Sequence, residues 1–135
     1  MRRKIRFRKP QPFYEPRKSG TLVKDSLYGN LFENWVIVEL MKARYNQAVD
    51  PRFYFYRGVS GKEVDLLVQQ GSRLGPIEIK SSRTFSSSFL EGLHYFHEQT
   101  PEKAEGGALI YAGKQTQTLG LFQLFNAENC SQLMG

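Results

Sequence analysis

Asp65, Glu78 and Lys80 are the residues whose types and spacing could do chemistry together. Glu78 and Lys80 flank one isoleucine at the end of an apolar run, and Asp65 sits in the apolar run before it. Side chains alternate along a strand, so Glu63, Asp65 and Leu67 share one face and Val64, Leu66 and Val68 the other. In the next run Glu78 and Lys80 share a face, with Ile77 and Ile79 opposite. If Gly71-Ser72 centres a hairpin turn, Asp65 lies across from Glu78 and Glu63 across from Lys80; a bulge or a longer loop would move that register. Facing carboxylates repel, and a fold keeps them only with a compensating cation or a shared proton. Lys80 supplies one positive charge. A divalent metal, Mg²⁺ or Mn²⁺, would supply the rest, held by Asp65 and Glu78 with the main-chain carbonyl of Ile79 as a further oxygen. The chemistry such a group suits is metal-assisted phosphodiester hydrolysis. The metal neutralises the phosphate and acidifies bound water, while Lys80 positions or deprotonates that water or stabilises the charge developing on phosphorus.

Glu33 adds a third acid, beside Phe32, Val36 and Ile37 on a helical stretch. Glu39 lies on the same stretch, about a third of a turn away, and could substitute for Glu33. A Glu-x-Lys on a strand is by itself common and usually a solvated row. The specific signal is the conjunction of an acid in the preceding strand, a compatible antiparallel register, apolar back faces and an acidic helix upstream.

The elements that must position these residues follow from periodicity and turn residues. Phe32, Trp35, Val36, Leu40 and Ala43 recur at helical spacing and predict a helix from Gly29 to about Tyr45, capped by Asn30 and stopped before Pro51. Strands are predicted at Phe53–Tyr56, Glu63–Val68 and Leu74–Lys80, with turns at Gly58/Gly61 and Gln70–Arg73. Phe89, Leu90, Leu93 and Phe96 predict a second helix running to about Gln99. Strands at Ala108–Tyr111 and Leu119–Phe125 and a short helix from about Ala127 complete the chain. The order α-β-β-β-α-β, then a strand and a short helix, predicts an α/β fold with a mixed sheet flanked by helices. The second helix is the crossover that lets the third and fourth strands run parallel.

The 135 residues fit a single domain, and 40% hydrophobic residues supply a core. No apolar run approaches a membrane span, and the basic start is followed by Pro and Tyr rather than an apolar signal region. One cysteine, Cys130, precludes an internal disulfide and suits a cytoplasmic setting. The net charge of +6 is unevenly spread: residues 1–24 hold nine basic groups and one acid, which leaves the remainder at −2. Residues 1–28, with Pro10, Pro12, Pro16 and Gly20, read as a basic, weakly ordered arm and residues 29–135 as the domain. Arg2, Arg3 and Lys4 in the arm, and Arg57 and Arg83 beside the acids, are candidate phosphate contacts, with solvated charge or local charge balance as the bland alternative. His94 and His97 share a helix face but lack a third ligand at metal spacing, so packing is the favoured role. Tyr54, Phe55 and Tyr56 read as strand core and edge, Ser82 as a cap or buttress, and Cys130 as a small buried residue.

At Asp65, Glu78-Ile79-Lys80 and Glu33 the chain resembles the PD-(D/E)xK, restriction-endonuclease-like superfamily, whose core has the same element order. More closely, Gly29-Asn30-Leu31-Phe32-Glu33, Val38-Glu39-Leu40, Phe55-Tyr56-Arg57, Gly61-Lys62-Glu63-Val64-Asp65, Pro76 to Ser82, and Gly92-Leu93 with Phe96 look like the C-terminal domain of unknown function behind bacterial P-loop (AAA-type) ATPase modules. That resemblance runs from about Tyr28 to the C-terminus. It implies a nuclease-like domain with a magnesium site acting on DNA, and an ATPase module as its family context. Val64 stands where the superfamily has proline, and no Gly-x-x-x-x-Gly-Lys-[Ser/Thr] phosphate loop is present, so this chain is not the ATPase. The alternative is a non-catalytic module that keeps the nuclease fold to bind a partner or nucleic acid. Oligomeric state is open on sequence grounds.

Overall fold

The computed structural model describes residues 5–6 and 21–135, with side chains from residue 25 onward. Seven strands form one mixed sheet: β1 (Ile5–Arg6), β2 (Phe53–Arg57), β3 (Glu63–Gln70), β4 (Arg73–Lys80), β5 (Ala108–Tyr111), β6 (Gln117–Leu119) and β7 (Phe122–Asn126), in spatial order β1-β2-β3-β4-β5-β7-β6. The helix α1 (Thr21–Asn46) precedes β2, and α2 (Glu91–Gln99), entered through a 3₁₀ turn at Ser87–Leu90, joins β4 to β5. A second 3₁₀ segment, Ala127–Met134, closes the chain.

β1 to β4 are antiparallel neighbours, whereas β4, β5 and β7 run parallel. The α2 crossover is what allows the β4–β5 pairing, because parallel strands cannot be joined by a tight turn. The strands alternate apolar residues between two covered faces. Val36, Ile37 and Leu40 of α1 and Cys130 and Met134 of the terminal 3₁₀ segment pack on Leu66, Val68, Ile77, Ile79, Ala108 and Ile110. On the opposite face Phe96 of α2 packs with Tyr56, Val64, Leu67 and Leu74, and its ring meets Tyr56 edge-on at 4.9 Å. Beside it Leu109, Tyr111 and Leu124 pack with Phe85 and Phe89. Among the described residues no helix is long and apolar enough to cross a membrane.

Three expectations are corrected, and one further pairing is found. The first helix begins at Thr21 rather than Gly29, so Asn30 is not a cap; it lies mid-helix and its carbonyl accepts the Asn34 side-chain amide at 2.9 Å. No proline falls between Thr21 and Asn46, and one interior glycine costs only about 1 kcal/mol, so Gly29 does not stop the helix. The predicted Leu119–Phe125 strand is a hairpin of β6 and β7. Gly120 at φ 63° and Leu121 form its tip between Leu119 and Phe122, a left-handed step that glycine takes without steric cost. Trp35 is 44% exposed and faces away from the core. Finally, Ile5–Arg6 in the expected arm pairs with Tyr56 and Phe55 of β2. The phosphate contacts expected of Arg2, Arg3 and Lys4 lie outside the described residues.

Candidate active site at the open end of the β3–β4 hairpin

The hairpin register agrees with a turn at Gly71-Ser72. Gln70 pairs with Arg73, and the ladder continues to Leu66 opposite Ile77. Gly71 has φ 62°, the left-handed conformation that a two-residue turn requires.

Beyond Leu66 and Ile77 the regular ladder ends, and side chains take the place of main-chain partners. The Ile79 N–H donates to Asp65 Oδ2 at 2.8 Å, and the Asp65 N–H donates to Glu78 Oε1 at 3.2 Å. Each acid thus caps an amide of the other strand and uses one carboxylate oxygen to do so. Lys80 Nζ stands 3.4 Å from Glu78 Oε2, on the side of the carboxylate that Asp65 leaves open.

A bulge explains why the strands part there. Tyr54 of β2 pairs with Leu67 and Tyr56 pairs with Val64, so Phe55 alone faces both Asp65 and Leu66. Two residues opposing one bend the strand and re-aim its side chains. The consequence is visible in the cores: Leu66 and Val68 pack under α1, but Val64 joins Leu67 under α2. The strict alternation expected for Glu63 to Val68 therefore fails at Asp65. On β4 the expected alternation holds, with Ile77 and Ile79 under α1 and Glu78 and Lys80 toward α2.

α2 closes over Glu78 because residue 92 is glycine. A β-carbon there would come within 3.1 Å of both Glu78 Oε1 and the Glu63 carbonyl. Glu78 is consequently buried rather than presented to solvent as the strand pattern suggested, at 5% exposure. Lys80 remains about a third exposed and stands 5.9 Å from the centre of the Phe89 ring, a cation–π contact. Gly92 belongs to the site through the space it leaves, a role that spacing alone does not reveal.

The electrostatics follow from burial. Glu78 is pushed up to about 8, first by burial and then by the Asp65 charge, against the opposing pull of Lys80 and the Asp65 N–H. Burial also raises Asp65, opposed by the Ile79 N–H and by Lys80. Glu33, reaching the group from α1, is pushed up to about 7 by burial and then by Asp65, with Lys80 opposing. Three carboxyls and one ammonium thus form a single electrostatic group that resists full ionisation. Among the described residues, no three histidine, cysteine, aspartate or glutamate side chains stand arranged to hold a metal ion.

The other candidates fall outside this group. Glu39 pairs with Lys42 at 3.0 Å, and its charge acts on the Cys130 thiol, which burial pushes up to about 11. Arg57 is ion-paired with Glu63 beside the acids, and Arg83 is exposed beyond the end of β4. Ser82 buttresses the segment after β4 by bonding both the N–H and the carbonyl of Thr84. His94 and His97 pack edge-on against Phe122, and His97 Nε2 lies 2.6 Å from the Gly106 carbonyl oxygen, so both are packing residues.

No curated protein matches the chain. A family of domains of unknown function, DUF4143, matches residues 28–129, a span that holds α1 from Tyr28, the hairpin, α2 and strands β5 to β7. With about three-quarters of its length matched, and every residue of the acidic group inside the match, the chain belongs to the DUF4143 family.

Proposed function

We propose that the open end of the β3–β4 hairpin is the metal-dependent phosphodiesterase site of a nuclease-like domain of PD-(D/E)xK type, with DNA as its substrate. The observation that carries this reading is the reciprocal capping of Asp65 and Glu78 beside Lys80. It gathers buried carboxylates around a single ammonium at a cost that a dication would remove. The donor set fits Mg²⁺ or Mn²⁺, being hard carboxylate oxygens with no thiolate or imidazole among them. Asp65 and Glu78 would hold the ion, with Glu33 and the Ile79 carbonyl completing its shell. The bound ion would supply charge neutralisation at the phosphate and a lowered pKa for bound water.

The chain's own residues do the rest. Lys80 carries its positive charge at the exposed lip of the site, where it can orient an attacking water or hold the phosphate oxygens as charge develops. The peptide N–H groups of Asp65 and Ile79 orient the two acids. Arg57 and Arg83 flank the opening as phosphate contacts. By family resemblance, the domain would work together with an AAA-type ATPase module.

The test is a plasmid and oligonucleotide cleavage assay in Mg²⁺ and Mn²⁺, comparing the intact chain with Lys80→Ala. Metal-dependent cutting that Lys80→Ala abolishes supports the reading. Cutting that survives the substitution sinks it. A second reading, a non-catalytic module that keeps the fold for partner or nucleic-acid binding, is favoured by the burial of Glu78 beneath Gly92. Under that reading there is no cleavage in either metal, and Asp65→Ala leaves binding intact.

A further inference from the structure

A helix that covers one face of a sheet needs one apolar stripe. α1 has two. Val36, Ile37 and Leu40 face the sheet. Away from it stand Tyr28, Leu31, Trp35, Val38 and Tyr45, exposed at 51, 42, 44, 45 and 61%. With Lys42 these residues fall at successive intervals of three, four, three, four and three, the seam spacing of a two-helix coiled coil.

We propose that this seam pairs with the same seam of a second copy, antiparallel, across a two-fold axis between Trp35 and Val38. The interval pattern reads the same in both directions, as an antiparallel isologous contact demands. Tyr28 then meets Tyr45, Trp35 meets Val38, and Leu31 meets the stem of Lys42, whose ammonium is held outward by Glu39 at 3.0 Å. A single lysine at a seam position also sets register at some cost in stability. The area is sufficient. With aromatic side chains offering roughly 150–250 Å² each, the stripe exposes on the order of 450 Å². That is the size of the biggest apolar patch on a typical lone domain, about 300–600 Å², which is often an interaction surface. Two stripes face to face cover about 900 Å² before the polar rim, which then brings the total to the roughly 1,000 Å² at which specific association begins. The expected dimer is therefore reversible, dissociating in the micromolar range. This pairing does not depend on the nuclease reading.

Trp35 is the sole tryptophan of the chain, so its emission reports the seam directly. Sedimentation of the full chain from low to high micromolar concentration is expected to pass from one chain to two, with Trp35 emission shifting blue in step. Leu31→Glu and Val38→Glu alter exposed positions; each is expected to keep the circular dichroism of the native chain and to remain a monomer throughout. Trp35→Ala, read by sedimentation alone, supplies the same answer should an introduced glutamate perturb folding. Oxidising Tyr28→Cys mixed with Tyr45→Cys should give the mixed disulfide in preference to either homodimer, because the antiparallel seam sets position 28 against position 45, and the buried Cys130 does not compete. A monomer at every concentration overturns the proposal. So does a dimer that survives the seam substitutions, or a concentration-independent blue emission from a monomer, which would mean that the chain's own N-terminal segment covers the stripe. Preferential Tyr28→Cys homodimers would overturn the antiparallel arrangement.

Discussion

The two ends of the β3–β4 hairpin are built from the same strands and do opposite things. Toward the turn, Leu66 to Gln70 and Arg73 to Ile77 pair main chain to main chain, and Leu66, Leu67, Val68, Leu74 and Ile77 bury apolar side chains on both faces. At the open end the main chains part, Asp65 and Glu78 cap one another's strands, and three carboxyls share one lysine. One end contributes stability. The other gives some of it up for a cluster of carboxyls that a folded chain tolerates only with a retained proton or a bound cation. The difference lies in one extra residue: the bulge at Asp65 and Leu66 converts a pairing strand into one that offers a side chain to its neighbour's amide.

Substitutions at the two ends should therefore separate activity from stability. The largest effect is expected from Lys80→Ala. Loss of a group that stabilises developing charge costs about 10²–10³ in rate, while the melting temperature, read by calorimetry, should barely move because the side chain is partly exposed. Leu67→Ala at the covered end should do the reverse. Leu67 is fully buried, such truncations cost about 2–5 kcal/mol, and a chemical denaturation curve should report that loss while specific activity per folded molecule stays near native. If Leu67→Ala instead reduces activity as severely as Lys80→Ala, the division of the hairpin fails.

The pH dependence offers a subtler probe. Glu78 titrates near 8 when folded against an ordinary value of 4.5. Its protonated form therefore favours the native state fully below about 4.5, and that contribution is lost as pH rises toward 8. Glu33 acts in the same direction up to about 7. In chelator the melting temperature should fall between pH 5 and 8 by way of these groups, and added Mg²⁺ or Mn²⁺ should restore more at pH 8 than at pH 6. Glu78→Gln should flatten that slope and raise the melting temperature at pH 8 while removing activity. A metal effect equal at both pH values would detach the acids from metal binding.

Gly92→Ala should have a moderate effect. The added methyl group meets Glu78 and the Glu63 carbonyl at 3.1 Å, so thermal melts should show a loss of about 1–3 kcal/mol, the cost of overpacking, together with an altered pH slope as Glu78 is displaced. The smallest effect belongs to Arg57→Ala. Its pair with Glu63 is exposed, and such pairs contribute about 0–1 kcal/mol. If Arg57 contacts phosphate, DNA affinity should still weaken in a filter-binding or anisotropy titration with little change in stability.

What was legible in the sequence was local. A two-residue Gly-Ser turn sets the register of the hairpin as far as Leu66 and Ile77, because each pairing follows from the one before it. Glu78 and Lys80 share a face because they are two residues apart on a regular strand. The parallel β4–β5 pairing follows from a helix between them. The acids could be named from these facts before any tertiary contact was known.

Three things required the fold. The bulge depends on how β2 lies against β3, a pairing whose register no turn between them announces, so the break in alternation at Asp65 was invisible. The burial of Glu78 depends on α2 descending at Gly92, where the missing side chain matters only because another element approaches it. The outward face of Trp35 depends on which of two apolar stripes on α1 meets the sheet, and helical periodicity reports that stripes exist without saying which one is covered. The sequence by itself determined which groups could react and on which strands they stand. The tertiary structure decided their charge and exposure, because burial and the approach of neighbouring elements set the free energy of a carboxylate and are properties of no single segment.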